Sequence, residues 1–569
     1  MKGVGPMRPW AHGVALGCIL LMSLGLHGVG LTWSTRPGLG LETRWEPDEL
    51  DELALFMIWN QTWNPRWFQY PSFHIYMILG TLAPHVRFST AFRILDAKLQ
   101  DDADFFARAR ILARLPSVAF GVLLVLWVFL LGRALWGPTA GLWAALLTAL
   151  TSGLVTFGHL AVPHVPAISL ATLSLYLLVR AVQRSHWGLF AAGAAVAGLA
   201  ASTLYNMAAL AVPVLVALTF LAMGPAVDRG RRAWKRWALR WLVGGFVALG
   251  FWAGAFLVGT PYALREFQEF WDRGVMYQYR FAMTEEGGQP LRFSWPQHLL
   301  NLIHNQGLPL FALSMAGAVF GFPRRWDAAA RPRVLLYAWI VPYFLYVGTF
   351  RIYPPARYIL PIVPALNVFA GALTDRMWRA RRGQPWLRVG VAAAVLYTLG
   401  FAVMTDWMFL HDTRAQATAW FDRLPAGTRV AAFHLKSYLP KFRPDFVLEM
   451  YDTFHALADF WERVDGPTYV VLSQASFARF FIGMARSPEE QAALARLFQD
   501  PYPYRLCRVF YRHPWVRPSL ELMLRPYSWK KILEWLPLNP EPEFVSPPIV
   551  VFCRPATPPP YREAVGYPR

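Results

Sequence analysis

Charge is what this 569-residue chain has little of: 16% of its residues are Asp, Glu, Lys or Arg, where a soluble protein carries roughly a quarter. With 55% hydrophobic residues, much of the chain must face lipid, which excludes a soluble enzyme. Cysteine is scarce as well. Cys18 lies inside the first apolar run, so only Cys507 and Cys553 can pair, and neither a disulfide framework nor a redox compartment follows. No repeat of 20 to 50 residues and no inverted pair of broken helices is present, which weighs against a transporter. No A-x-A-like site follows the first apolar run, so Met1 to Trp33 reads as an uncleaved transmembrane helix rather than a signal peptide. Basic residues outnumber acidic ones, 55 to 35, for a net charge of +20. No zinc spacing or aromatic-basic module accompanies that charge, so nucleic acid is not an expected partner.

Long apolar runs are abundant. They cover Gly13 to Trp33, Leu115 to Leu135, Thr139 to Phe157, Val162 to Val182, Trp187 to Leu204, Tyr205 to Met223, Trp241 to Pro261, Leu302 to Phe322, Leu335 to Phe350, Tyr358 to Leu373 and Val389 to Phe409. These predict about eleven spanning helices. With the N-terminus inside, every basic short loop falls on one side: Lys2 and Arg8, Arg133, Arg180 and Arg184, the run from Arg229 to Arg240, Arg324 to Arg333, and Arg376 to Arg388. Three large segments are left outside: Ser34 to Arg114, Tyr262 to Asn301, and everything after Leu410. In the last, strand-like runs such as Arg429 to Phe433 and Tyr469 to Leu472 replace helical periodicity, and helix Ala415 to Leu424 with the Pro425-Ala426-Gly427 turn predicts an α/β unit. The expected fold is thus an all-α polytopic membrane domain over residues 1–409, with a first outer loop at 34–114, followed by an extracytoplasmic α/β domain over 410–569.

The first outer loop concentrates candidate chemistry. It reads Arg44-Trp45-Glu46-Pro47-Asp48-Glu49-Leu50-Asp51-Glu52, then Trp63-Asn64-Pro65-Arg66-Trp67-Phe68-Gln69-Tyr70-Pro71-Ser72. Acids among Trp and Pro, next to the short apolar run Phe73 to Leu82, suggest a loop folded back on the membrane surface. Sugar transfer from a lipid phosphate needs a carboxylate that takes the acceptor proton and a cation or metal that holds the phosphate. Asp48 or Glu49 could supply the carboxylate. The competing account is a solvated helix start whose acids complement a helix dipole. Weaker candidates are the acidic run Asp101, Asp102 and Asp104, which reads as a self-neutralising partner of Arg108, Arg110 and Arg114, and Glu285-Glu286 before Gly287-Gly288, which reads as an exposed turn or a flap.

The segment from Pro47-Asp48-Glu49 through Asn64-Pro65 to Tyr70-Pro71 resembles the first outer loop of GT-C glycosyltransferases of the protein O-mannosyltransferase and lipid A aminoarabinose transferase type. Further matches follow in order: Arg110 to Pro116, Gly132-Arg133, Ala161 to Pro166 (AVPHVP), Gly198 to Asn206 (GLAASTLYN), Thr260-Pro261-Tyr262, Gly307-Leu308-Pro309 and Arg357-Tyr358-Ile359-Leu360-Pro361. The resemblance spans about Gly13 to Phe409, and the C-terminal part matches in position alone. It implies a polyprenyl-phosphate-linked sugar as donor, an extracytoplasmic protein, lipid or glycan as acceptor, inversion at the transferred carbon, Asp48 as base and Glu49 as its support. Arg357 and Tyr358 are then candidates for the donor phosphate, with Arg110 a lesser one; the competing account of Arg357 is an interfacial anchor. Two departures stand out: His164 occupies a place where the family usually has Asp, and Leu204 one where it has Lys. His164 is therefore a candidate contact for acceptor or metal, a divalent metal is left open as cofactor, and a transporter or non-catalytic scaffold that kept the fold is the alternative reading.

Overall fold

The structure, a computed structural model, describes residues 9–35, 45–92, 103–224, 231–283, 293–325, 327, 330–352, 354–380, 384–457, 466–481, 487–499, 504–511 and 545–554. Every apolar run of the sequence falls on helix. In chain order these are α1 (Pro9–Gly28), α2 (Asp51–Trp59), α3 (Phe73–Phe92), α4 (Ala103–Trp136), α5 (Pro138–Ala149), α6 (Ser152–Gly158), α7 (His164–Arg184), α8 (Trp187–Ala201), α9 (Ala211–Met223) and α10 (Arg231–Gly259). The short helices α11 (Tyr262–Arg265), α12 (Phe267–Glu269) and α13 (Met276–Met283) follow. Then come α14 (Trp295–Gln306), α15 (Leu308–Gly321), α16 (Ala330–Gly348), α17 (Val363–Trp378) and α18 (Pro385–Leu410). Among the described residues seven helical stretches are long and apolar enough to cross a membrane, or eight if the bent pair α5–α6 is one span, while α8 and α15 are shorter apolar helices.

Two runs that read as single helices are broken, for identifiable reasons. The Thr139 to Phe157 run bends by 61° between α5 and α6. Asn367 of α17 donates there to the hydroxyls of Thr148 and Thr151 at 3.2 and 3.0 Å, so the break is held by polar contacts inside the bundle. The Leu302 to Phe322 run divides at Gly307, whose φ of +73° ends α14, and Pro309 then opens α15. Elsewhere small residues let helices approach closely: a Cβ on Gly141 would lie 2.6 Å from the carbonyl oxygen of Phe129, across the α4–α5 contact.

After α18 the chain forms the α/β unit that the strand-like runs predict. Five strands, β1 (Arg429–Phe433), β2 (Val447–Tyr451), β3 (Tyr469–Ser473), β4 (Arg505–Phe510) and β5 (Ile549–Cys553), lie in the order β2-β1-β3-β5-β4. β1 is parallel to β2 and β3, whereas β5 runs antiparallel between β3 and β4. Alternation along β3 sends Tyr469 and Val471 to one face, with Phe421 of α19 (Thr413–Phe421), and Val470 and Leu472 to the other, with Phe477 and Leu494 of α20 (Gln474–Phe481) and α21 (Pro488–Gln499). The sheet is therefore covered on both faces, and Cys507 and Cys553 form a disulfide across β4 and β5.

Candidate active site

The first outer loop is built around ion pairs. Arg110 and Arg114 lie one helical turn apart on one face of α4, and both turn toward acids of the loop. Arg114 grips Glu49 with a two-pronged contact, Nε to Oε1 at 2.7 Å and Nη2 to Oε2 at 2.9 Å. The backbone N–H of Ala161 adds a third bond to Glu49 at 3.0 Å, and both charged side chains are fully buried. Arg110 donates to Asp51 at 3.0 Å and stands 3.9 Å from Glu49. Immediately before these anchors, Asp48 is one-third exposed and pairs with Arg357, whose Nη2 donates to its Oδ2 at 3.0 Å.

Arg357 reaches this point from the other end of the sequence because its loop is fastened to α14. Asn301 donates to the carbonyl of Pro354 at 3.0 Å, and Asn305, one turn later, to that of Ala356 at 2.9 Å. The Tyr343 hydroxyl of α16 donates to the carbonyl of Tyr358 at 3.0 Å. Asp48 and Arg357 then face a cavity of about 690 Å³ that Tyr70, His164, Leu204 and Tyr358 also line. The cavity lining is also aromatic, with Trp252 and Phe256 of α10, Phe270 just after α12, Tyr277 of α13 and Tyr346 of α16. Gln278 of α13 ties this lining to the loop by donating to the carbonyl of Gln69 at 2.8 Å.

Of the residues singled out in the sequence, Asp48, Arg357, Tyr358 and His164 are brought together at this cavity. Glu49 and Arg110 are not among its lining residues: each is spent on a buried ion pair behind the loop. The run at Asp101 and Asp102 and the pair at Glu285 and Glu286 lie outside the described residues. Sequence reasoning passed over Glu46. It is buried 2% exposed, and its Oε1 accepts from the backbone N–H of Asp48 at 3.2 Å. Burial pushes its carboxyl well above the ordinary range, the neighbouring Asp48 charge adds to the rise, and Arg357 opposes it. The Tyr70 hydroxyl is pushed up in the same way, first by burial and then by Asp48. The signal available in the sequence was a third acid, two residues before Asp48 and flanked by Trp45 and Pro47.

A family model described as dolichyl-phosphate-mannose-protein mannosyltransferase matches residues 105–254, from α4 to α10. Among solved structures, the chain is similar to the Archaeoglobus fulgidus oligosaccharyltransferase tethered with an acceptor peptide containing the NVT sequon, at 12% identity, 86% of this chain, 72% of that one and a TM-score of 0.52. The same organism's AglB, in complex with an inhibitory peptide and a dolichol-phosphate, matches at 13% identity over 96% of this chain and 88% of that one, with a TM-score of 0.52. The chain thus resembles a mannosyltransferase family over about a quarter of its length and shares the fold of the oligosaccharyltransferase structures. ArnT from Cupriavidus metallidurans bound to undecaprenyl phosphate matches at 15% identity, with 84% and 96% coverage and a TM-score of 0.48. No curated protein sequence matches.

The sequence left a divalent metal open, and the described residues offer no ready donor set for one. Among the described residues no group of three His, Cys, Asp or Glu side chains is placed to hold an ion. Asp48 points its carboxylate at a guanidinium, and His164 lines the same cavity without a second carboxylate beside it among the lining residues.

Proposed function

We propose that this chain transfers a sugar from a polyprenyl-phosphate donor to an extracytoplasmic acceptor, with Asp48 as base and Arg357 as the phosphate contact. The observation that carries the reading is the Asp48–Arg357 pair on the wall of an aromatic cavity, each partner supplied by a different part of the chain. Asp48 accepts the proton of an acceptor O–H or N–H as that atom attacks the anomeric carbon. The bond from that carbon to the phosphate oxygen breaks, and the departing lipid phosphate carries its negative charge onto Arg357. One carboxylate and one leaving group make a single displacement, hence inversion.

Asp48 and Arg357 neutralise one another across their ion pair. A donor phosphate on Arg357 competes with Asp48 for the guanidinium and frees the carboxylate for the acceptor, so donor arrival arms the base. Tyr358 stands beside Arg357, whose guanidinium lies 5.9 Å from its ring centroid. His164 offers the cavity a ring nitrogen, Nδ1, that has no hydrogen-bond partner among the described residues, suited to a sugar or acceptor hydroxyl. Glu49 and Arg110 hold the loop from behind. The arginine-rich short loops support a cytoplasmic N-terminus, and the Cys507–Cys553 disulfide supports an extracytoplasmic C-terminal domain over 410–569.

Mass spectrometry of cell-envelope glycans tests this. Cells lacking the chain, and cells carrying only Asp48→Asn, should lose the same glycan. Identical glycans in all three strains would refute it.

A further inference from the structure

The segment that carries Asp48 is held at both ends, and its two holders come from different parts of the chain. At Glu49 the holder is Arg114 of α4. At Trp45 it is Arg414 of α19, 369 residues further along. Arg414 is fully buried in the seam between the membrane bundle and the C-terminal α/β unit. Its Nη1 donates to the carbonyls of Trp45 at 3.1 Å and Ser437 at 2.6 Å, and its guanidinium lies over the rings of Trp45 at 4.6 Å and Trp33 at 5.3 Å. Asp412 fixes Arg414 through Nε at 2.9 Å and Nη2 at 2.8 Å. The same carboxylate accepts from the indole N–H of Trp33 at 3.0 Å and from the backbone N–H of Ser546, next to β5, at 2.8 Å. Arg114 closes the circuit: its Nη1 donates to the carbonyl of Trp33 at 2.7 Å, and its guanidinium lies 5.6 Å from that ring's centroid. Trp33 is therefore sandwiched between the arginine that holds Glu49 and the arginine that holds Trp45.

Buried charge is costly unless it is fully paired, and a pair of this kind is better suited to fixing one geometry than to adding stability. Surface anchoring of a C-terminal domain would not require a buried arginine against Trp33 and Trp45, the latter three residues before the proposed base. We propose that Arg414 is a positioning residue: by gripping Trp45 it sets where Asp48 stands relative to Arg357, and so makes the C-terminal unit part of the catalytic apparatus. The proposal rests on the reading of Asp48 as base, while its structural half stands on contacts that do not depend on activity.

The test uses the full-length protein in lipid nanodiscs, comparing wild type, Arg414→Gln and Arg414→Lys. Hydrogen–deuterium exchange over residues 45–50 should rise on the order of tenfold or more in Arg414→Gln, with α7 unchanged and Arg414→Lys intermediate, because Lys keeps the charge but not the fork. Binding of polyprenyl phosphate itself should stay within about twofold of wild type, while turnover of the transfer reaction falls about a hundredfold, the cost of a displacement near 1 Å, and recovers partly in Arg414→Lys. Unchanged exchange at 45–50 overturns the clasp. Faster exchange with wild-type turnover overturns the positioning role. If Arg414→Gln does not accumulate as folded protein, Arg414→Lys alone must raise exchange at 45–50, and a wild-type pattern overturns the proposal. A native protein that transfers no sugar refutes the glycosyltransferase reading, and the exchange experiment still decides whether Arg414 holds the loop.

Discussion

Asp48 and Glu49 are adjacent carboxylates, and neutralising each in turn should separate catalysis from stability. The Glu49 carboxylate receives three hydrogen bonds between 2.7 and 3.0 Å, two of them from a guanidinium that is itself fully buried. Glu49→Gln keeps one acceptor oxygen, removes the charge, and leaves Arg114 facing an amide in a fully buried site. Removing one partner of a buried pair costs about 3 to 5 kcal/mol. Asp48 is one-third exposed and shares a single ion pair with Arg357, so Asp48→Asn should cost about 0 to 1 kcal/mol. The kinetic ranking is the reverse: Asp48→Asn loses the group that takes the acceptor proton, typically a factor of about a hundred to ten thousand. Glu49→Gln should retain far more turnover per folded molecule. The assay is transfer rate normalised to folded, detergent-purified protein, with thermal unfolding recorded on the same samples. Near-normal turnover in Asp48→Asn removes it as base, and a Glu49→Gln protein as stable as wild type refutes the account of the Arg114 clamp.

Arg357→Ala should weaken binding of the lipid-linked donor more than it lowers turnover at saturating donor, because a fixed cation on the phosphate acts in both ground and transition states; a titration with polyprenyl phosphate showing equal affinity would return Arg357 to the role of interfacial anchor. Burial raises the Glu46 carboxyl above its ordinary range, so its folded-state proton affinity exceeds that of the unfolded chain: the stability it contributes is present below the ordinary carboxyl value of 4.5 and is lost as pH rises through its raised folded value. Glu46→Gln should therefore flatten the decline in melting temperature above pH 4.5, and a variant that declines in parallel with wild type contradicts a raised Glu46 carboxyl. For topology, alkaline phosphatase fused near Phe433 should be active and the same enzyme fused near Arg236 inactive; the opposite pattern would overturn both the orientation and the side on which the site lies.

The sequence by itself determined the membrane class, the helical runs and the α/β character of the C-terminal unit, because each rests on a local periodicity: about 20 apolar residues for a span, and alternation for a buried strand. It also determined Asp48 and Arg357 as candidates, since their motifs stand in an order that matches a known topology. The residues by themselves left Asp48 and Glu49 equivalent, and the choice of Asp48 as base with Glu49 as support came from the resemblance alone. Adjacent residues of one loop look alike in sequence, and only the arrival of Arg114 from α4 withdraws Glu49 into a buried pair and leaves Asp48 on the cavity wall. For the same reason Arg110, a phosphate candidate by its motif, turns out to face Asp51. The helix breaks at Thr151 and Gly307 depend on Asn367 and on a single positive φ, which hydropathy averages away. Arg414 had no signal in the linear sequence at all. Its partner Trp45 is 369 residues away, and a contact at that separation exists only once the bundle and the sheet have closed around it.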